Sequence, residues 1–166
     1  MEVFVDPLDP FELDTAKRYG AQVHLYAEQK GLHDMKQDDS QDSKQLNIDG
    51  SIAEHRFAKH FNIYPNYNLD GPCHVDVIVD GKTIDVKWTK NPNHNLAVRW
   101  NIKPNNAADF FVLMRGETLG KMGYAGWIGR DEFFEKAIVM QGKKGPYRLL
   151  YVSDLHQGQI GRIENE

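Results

Sequence analysis

The chain has 166 residues, enough for one domain with a real core, and its 20 Lys and Arg against 24 Asp and Glu leave a net charge of −4. That balance excludes a bulk-basic, histone-like polyanion binder but not a local basic groove. Apolar residues at 40% and aromatics at 11% exclude full disorder, and the lone Cys73 excludes a disulfide framework or a cysteine-rich zinc module.

In chain order, the first element expected is a helix capped by Asp14, running to about Lys30 and closed by Gly31. Ala16, Tyr19, Val23, Tyr26 and Ala27 recur at helical spacing. Residues 33–50 have almost no apolar content and read as an exposed polar loop. A second helix is expected over about 50–61, followed by a turn region rich in Pro, Asn and Gly over 62–73. His74–Asp80 and Lys82–Trp88 read as strands joined at Asp80-Gly81, a strong hairpin signal. Residues 89–106 read mainly as loop, and Ala107–Met114 as a buried strand. Tyr124–Ile128 suggests another strand, Asp131–Ile138 a helix, Lys143-Lys144-Gly145 a turn and Tyr147–Val152 a last strand. The order predicts a mixed α/β layer fold. The whole chain is expected to be a single domain, with an N-terminal helix and polar loop over 1–48, the main body over 49–155 and a polar tail over 156–166.

Charge is uneven along that order. Residues 1–50 hold eleven acids and five bases, whereas 51–166 hold thirteen acids and fifteen bases. A polyanion-binding surface therefore belongs to the second part. No apolar run reaches the roughly 18 residues of a membrane span. The acidic opening Met1–Asp6 lacks the basic and apolar regions of a signal peptide. A cytoplasmic, reducing setting is the expectation.

The hairpin is the most informative feature. With a two-residue turn, Val79 faces Lys82, Asp76 faces Asp85 and His74 faces Lys87. Strand alternation then puts Asp76, Asp85 and Lys87 on one face. Val75, Val77, Ile84, Val86 and Trp88 fall on the other, which reads as core. A three-residue loop would separate the two Asp side chains onto opposite faces. Directly opposed residues hold their Cβ atoms roughly 4.5–5.5 Å apart, where like charges destabilise. A divalent cation with oxygen ligands is the simplest reason for such a pair, since Mg²⁺ is held by one or two carboxylates plus water and phosphate. Lys87 would sit beside that cation. The competing reading is a solvated polar strand face.

Glu54 adds a third carboxylate. On a helical wheel it falls inside the apolar arc of Ala53, Phe57, Ala58 and Phe61, with His55, Arg56, Lys59 and His60 outside. A core-facing Glu must be paired, metal-bound or protonated. The competing reading is a capping box, Ser51-Ile-Ala-Glu54.

Glu54 in a helix, Asp76 in a strand and Asp85-Val86-Lys87 in the next strand resemble the PD-(D/E)XK nuclease superfamily, which has the restriction-endonuclease-like fold. Ala108–Leu113 and Gly126-Trp-Ile resemble later core segments of such nucleases, so the likeness covers about residues 50–155. It implies an αβββαβ core with a mixed central sheet flanked by helices, preceded here by an extra N-terminal helix. It also implies metal-dependent hydrolysis of phosphodiester bonds in DNA. Asp76 and Asp85 would bind Mg²⁺ or Mn²⁺, with the Val86 carbonyl as a further ligand. Lys87 would orient or help deprotonate the water, and Glu54 would complete the site through the metal or its water. The residue before Asp76 is Val75 rather than proline, and Asp70 is a rival for the first acidic role. Ile63–Asn68 could supply the first meander strand. A homodimer, and a role in phage or bacterial recombination, repair or restriction, are further expectations from the likeness.

Residues 86–108 contain Lys87, Lys90, Arg99 and Lys103, no Asp or Glu, and the interleaved Trp88 and Trp100. Lys90, His94, Arg99 and Lys103 are therefore candidates for tracking a nucleic-acid backbone. The competing reading is a solvated loop with core tryptophans. Gly116–Lys121 lacks the spacing and the Ser or Thr of a phosphate loop. Cys73 and the histidines fit no standard zinc spacing. The alternative functions are a catalytically silent nucleic-acid- or protein-binding module of the same fold, and a structural protein with solvated hairpin charges.

Overall fold

A computed structural model describes residues 2–31, 42–69 and 75–160. The chain is a mixed α/β protein with two sheets. The larger sheet joins five strands: β1 (Val3–Phe4), β2 (Val77–Val79), β3 (Lys82–Thr89), β5 (Phe110–Gly116) and β6 (Met122–Gly129). Their spatial order is β1-β6-β5-β3-β2, with β3 and β5 parallel and the other pairs antiparallel. The smaller sheet has the order β4-β8-β7, from β4 (Leu96–Arg99), β7 (Ile138–Gly142) and β8 (Gly145–Leu150). The helices are α1 (Pro10–Gln29), α2 (Ser43–His60) and α3 (Arg130–Lys136). Among the described residues, no helix is long and apolar enough to cross a membrane.

The alternation of β5 divides the core in two. Val112 and Met114 pack with Phe57 of α2, Ile84, Val86 and Tyr124. Phe111 and Leu113 point the other way and pack with Leu96, Val98, Phe133 and Leu150. The larger sheet is thus covered by α2 on one face, and by β4, β8 and α3 on the other.

Several boundaries differ from expectation. Asp9, not Asp14, caps α1; it exchanges hydrogen bonds with Glu12 in a capping box. Asp14 instead pairs with Arg18 at 2.7 Å. Helix α2 starts at Ser43, because Asp42 accepts the Lys44 amide at 2.9 Å, so residues 43–50 are helix and not loop. That added length lies against α1, where a Cβ at Gly20 would come 2.6 Å from the Ile48 Cα. The N-terminal piece is not separate from the body: β1 extends the larger sheet and Val5 lies in its core. The connection from β3 to β5 contains β4 and no helix. The expected helix over Asp131–Ile138 stops at Lys136, because Ala137 turns extended, and Ile138 opens β7. Lys143-Lys144 forms the turn between β7 and β8.

Arg56 corrects the helical-wheel reading most sharply. It is 2% exposed rather than solvated. Its guanidinium donates to the carbonyls of Val5 at 2.6 Å, Gly120 at 2.8 Å and Thr118 at 2.9 Å, and more weakly to Asp6 at 3.2 Å. One side chain thereby ties the N-terminal strand and the β5–β6 loop to α2. Arg56→Met should lower the unfolding free energy by about 3 kcal/mol in a urea titration, since it leaves several buried carbonyls without donors. A loss below about 1 kcal/mol would contradict that role.

Candidate functional site

The β2–β3 hairpin has the expected register. Asp80 and Gly81 form the two-residue turn with φ of 49° and 76°, the left-handed pair that a tight hairpin demands. Val79 faces Lys82, Ile78 faces Thr83 and Val77 faces Ile84. Val77, Ile84 and Val86 lie in the core, and Trp88 packs against it, as the alternation requires.

Regular pairing ends at Val77. The Asp76 amide donates to the Ile84 carbonyl at 2.9 Å, one residue short of Asp85. The Asp76 carboxylate instead reaches across β3, where its Oδ2 accepts the Val86 amide at 2.7 Å. Asp85 points to the face opposite Val86 and is 1% exposed. Lys87 lies 2.8 Å from Asp85 Oδ1. The other oxygen, Asp85 Oδ2, is buried with no hydrogen-bond partner.

Glu54 lies in the interior of α2 and faces these groups. The capping-box reading fails, because Ser51 is mid-helix and its hydroxyl donates to the Ala16 carbonyl at 2.8 Å. Loss of water pushes the Glu54 carboxyl well above the ordinary range, and the charges of Asp76 and Asp85 push it further. Asp76 rises to about 7 through the same desolvation and the neighbouring Asp85; Lys87 and the Val86 amide oppose the rise. Burial pulls Lys87 down, but the two aspartates outweigh it and its pKa ends above the usual value. The ammonium therefore stays charged.

The entry to β2 is clamped from behind. The Asn66 amide donates to the Asp76 carbonyl at 2.7 Å, and its side chain donates to the Val75 carbonyl at 3.0 Å. The Tyr19 hydroxyl of α1 donates to the Asn66 carbonyl at 3.0 Å. Ile63–Asn68, expected as a strand, contributes only a single bridge, Pro65 to Val77. His55 is buried at 6% exposure, not solvated, because α1 and this segment cover it. Sequence reasoning missed Tyr19 and Asn66; the polar turn composition of 62–69 was the only signal. Asp70, Cys73 and His74 lie outside the described residues, so neither the rival acid nor the His74–Lys87 pairing has a place here.

The candidate backbone-tracking residues are dispersed. Arg99 ends β4, and its positive charge is felt at Lys87. The Lys103 ammonium sits 3.8 Å from the centre of the Trp100 ring, which also receives Arg148 at 4.2 Å. Lys90 is exposed and 3.9 Å from Glu117, and the exposed His94 contacts Thr89 at 3.3 Å. A cavity of about 310 Å³ is lined by Glu2, Arg115, Ser153 and Gln157, and none of Glu54, Asp76 and Asp85 lines it.

Among the described residues, no group of three or more His, Cys, Asp or Glu side chains is placed to hold a metal ion. What is assembled is an acid cluster with two anchored oxygens, one orphaned buried oxygen and one ammonium. Comparisons with family models, with curated proteins and with solved structures return no match.

The raised acids give a signed pH dependence. Asp76 and Glu54 hold protons more tightly folded than unfolded. Their stabilising contribution is complete below the unfolded carboxylate range and is lost as pH rises through the folded values. In EDTA, the site's contribution to stability should fall from roughly pH 4 to 7. Asp76→Asn should flatten that fall in urea titrations, since its amide oxygen can still accept the Val86 N–H. Equal pH slopes for the variant and the wild type would contradict the coupling.

Proposed function

We propose that this chain is a divalent-metal-dependent nuclease that hydrolyses phosphodiester bonds in DNA, built on a restriction-endonuclease-like core of the PD-(D/E)XK type. The observation that carries the reading is Asp85 Oδ2: a carboxylate oxygen buried without a partner, beside Asp76 and Glu54, with Lys87 on the other oxygen. Orphaned buried acceptors are rare and costly, and excess buried negative charge more so.

A hard divalent cation fits these donors. Asp85 Oδ2 has no fixed partner, the Asp76 carboxyl lies within hydrogen-bond reach of Asp85, and the Val86 carbonyl lies between Asp85 and Lys87 in sequence. Mg²⁺ needs only one or two carboxylates, the remaining positions going to water and substrate phosphate. A closed three-donor cage is therefore not required. Mn²⁺ favours the same donors. When bound, the ion supplies a water of lowered pKa and a positive clamp on the phosphate oxygens.

The chain's own groups divide the remaining work. Lys87 is held charged by its aspartate neighbours and is partly open to solvent, so it can meet a phosphate oxygen or orient a water. Burial and the neighbouring aspartates raise the Glu54 carboxyl, which favours its protonated form and suits it to handing over a proton. Arg99 adds positive charge on the β4 side. Lys90, His94 and Lys103 are separate, dispersed contacts for the polymer backbone. A homodimer cutting two strands belongs to the same proposal.

One observation favours the silent-module alternative: the Asp85–Lys87 ion pair already neutralises one carboxylate without a metal. A cleavage assay separates the two. Wild type with Mg²⁺ or Mn²⁺ should degrade plasmid or linear DNA, and EDTA should stop it. Asp85→Asn and Lys87→Ala should each lose about 100-fold or more. Intact DNA in every form with wild type and metal would overturn the nuclease reading.

A further inference from the structure

Beside the acid cluster stands an aromatic feature that hydrolysis itself does not need. Tyr67 is 48% exposed, yet it is held from behind by a buried histidine. His55 Nδ1 lies 2.7 Å from the Ser51 carbonyl, which can only accept, so that nitrogen carries the hydrogen. In the neutral ring Nε2 is then an acceptor, and the Tyr67 hydroxyl, 2.8 Å away, donates to it. The Tyr67 ring also meets the Tyr19 ring edge to face, with centroids 4.9 Å apart. Its hydroxyl proton is thus committed inward, and what it presents outward is ring surface.

The location is as specific as the mounting. Tyr67 follows Asn66, whose amide holds the Asp76 carbonyl. Tyr19, its ring partner, feels the charges of Glu54 and Asp76. Three residues earlier, Tyr64 is 90% exposed. The charge of Arg99 is felt at Lys87, and residues 86–108 hold four cations and no acid.

We infer that Tyr67 is a stacking platform for an unpaired nucleobase, so that the nucleic acid is single-stranded where it enters the carboxylate site. The identity of the polymer rests on the nuclease reading; the platform rests on the mounted ring. A duplex keeps its base faces stacked on one another, and only an unpaired base has a face to offer an aromatic side chain. A phosphate would seek a donor, and the donor of Tyr67 already faces His55.

Binding measured in EDTA tests this apart from cleavage. The probes are a fluorescein-labelled oligothymidine and a duplex of equal length, read by anisotropy. Tyr67→Ala should bind the single strand about tenfold more weakly, the loss of one stacked base, with duplex affinity changed by less than about twofold. Tyr67→Phe keeps the ring and should stay within about threefold of wild type on the single strand. Unchanged single-strand affinity in Tyr67→Ala, or an equal loss on both probes, overturns the inference. If Tyr67→Ala fails to fold by circular dichroism, photo-crosslinking of wild type to 5-iodouracil oligonucleotides decides. Crosslinks on the peptide holding Tyr67 support the platform; crosslinks confined to other aromatics, such as Trp100, overturn it. Selective single-strand binding without metal-dependent cleavage would sink the nuclease reading and leave the platform standing. No binding to either probe would sink the platform.

Discussion

The charges of Asp76 and Asp85 bear on Glu54, that of Asp85 bears on Asp76, and Lys87 is the ammonium among them. Each acid gains from being ionised only if something positive answers it. Lys87 answers one, and the Val86 amide partly answers another. The remainder is left as a proton held too tightly or an oxygen with no partner. A hydrophobic residue at any of these positions would be easier to bury. The electrostatic tension is concentrated at one edge of the larger sheet, and it gives the site its chemistry.

The fold is arranged so that this tension cannot relax. The hairpin fixes Asp85 and Lys87 on one face of β3, while the parallel partner β5 seals the strand from the other side. Helix α2 brings Glu54, and Arg56 on the same helix pins α2 to the N-terminal strand and the β5–β6 loop. Helix α1 packs against α2 at Gly20 and reaches through Tyr19 to Asn66, which holds the Asp76 backbone. Each acid is thus tied to a different element, and moving one away requires breaking buried hydrogen bonds.

How much of this the sequence disclosed depends on range. The hairpin was legible because Asp-Gly fits a left-handed two-residue turn and strand alternation does the rest. Glu54 was legible because a charge inside an apolar arc violates helical patterning. Arg56 and His55 were not: their partners are backbone carbonyls and a tyrosine from distant segments, and no local pattern encodes such contacts. The first two turns of α2 were hidden by a polar stretch whose cap, Asp42, sits among other acids. Strand β7 was hidden because Ile138 and Val139 also suit the end of a helix, and the extended Ala137 decides between them. The pairing break at Asp76 was also invisible, since the residue there bonds to Asn66, from a separate segment with no local signal for the contact.

On the proposed reading, the orphaned oxygen of Asp85 marks a divalent cation site. Mn²⁺ titration followed by electron paramagnetic resonance tests it without substrate or turnover. Wild type should show saturable Mn²⁺ binding that Mg²⁺ displaces and that Asp85→Asn loses. Absence of binding by the wild type, or equal binding by Asp85→Asn, would contradict it.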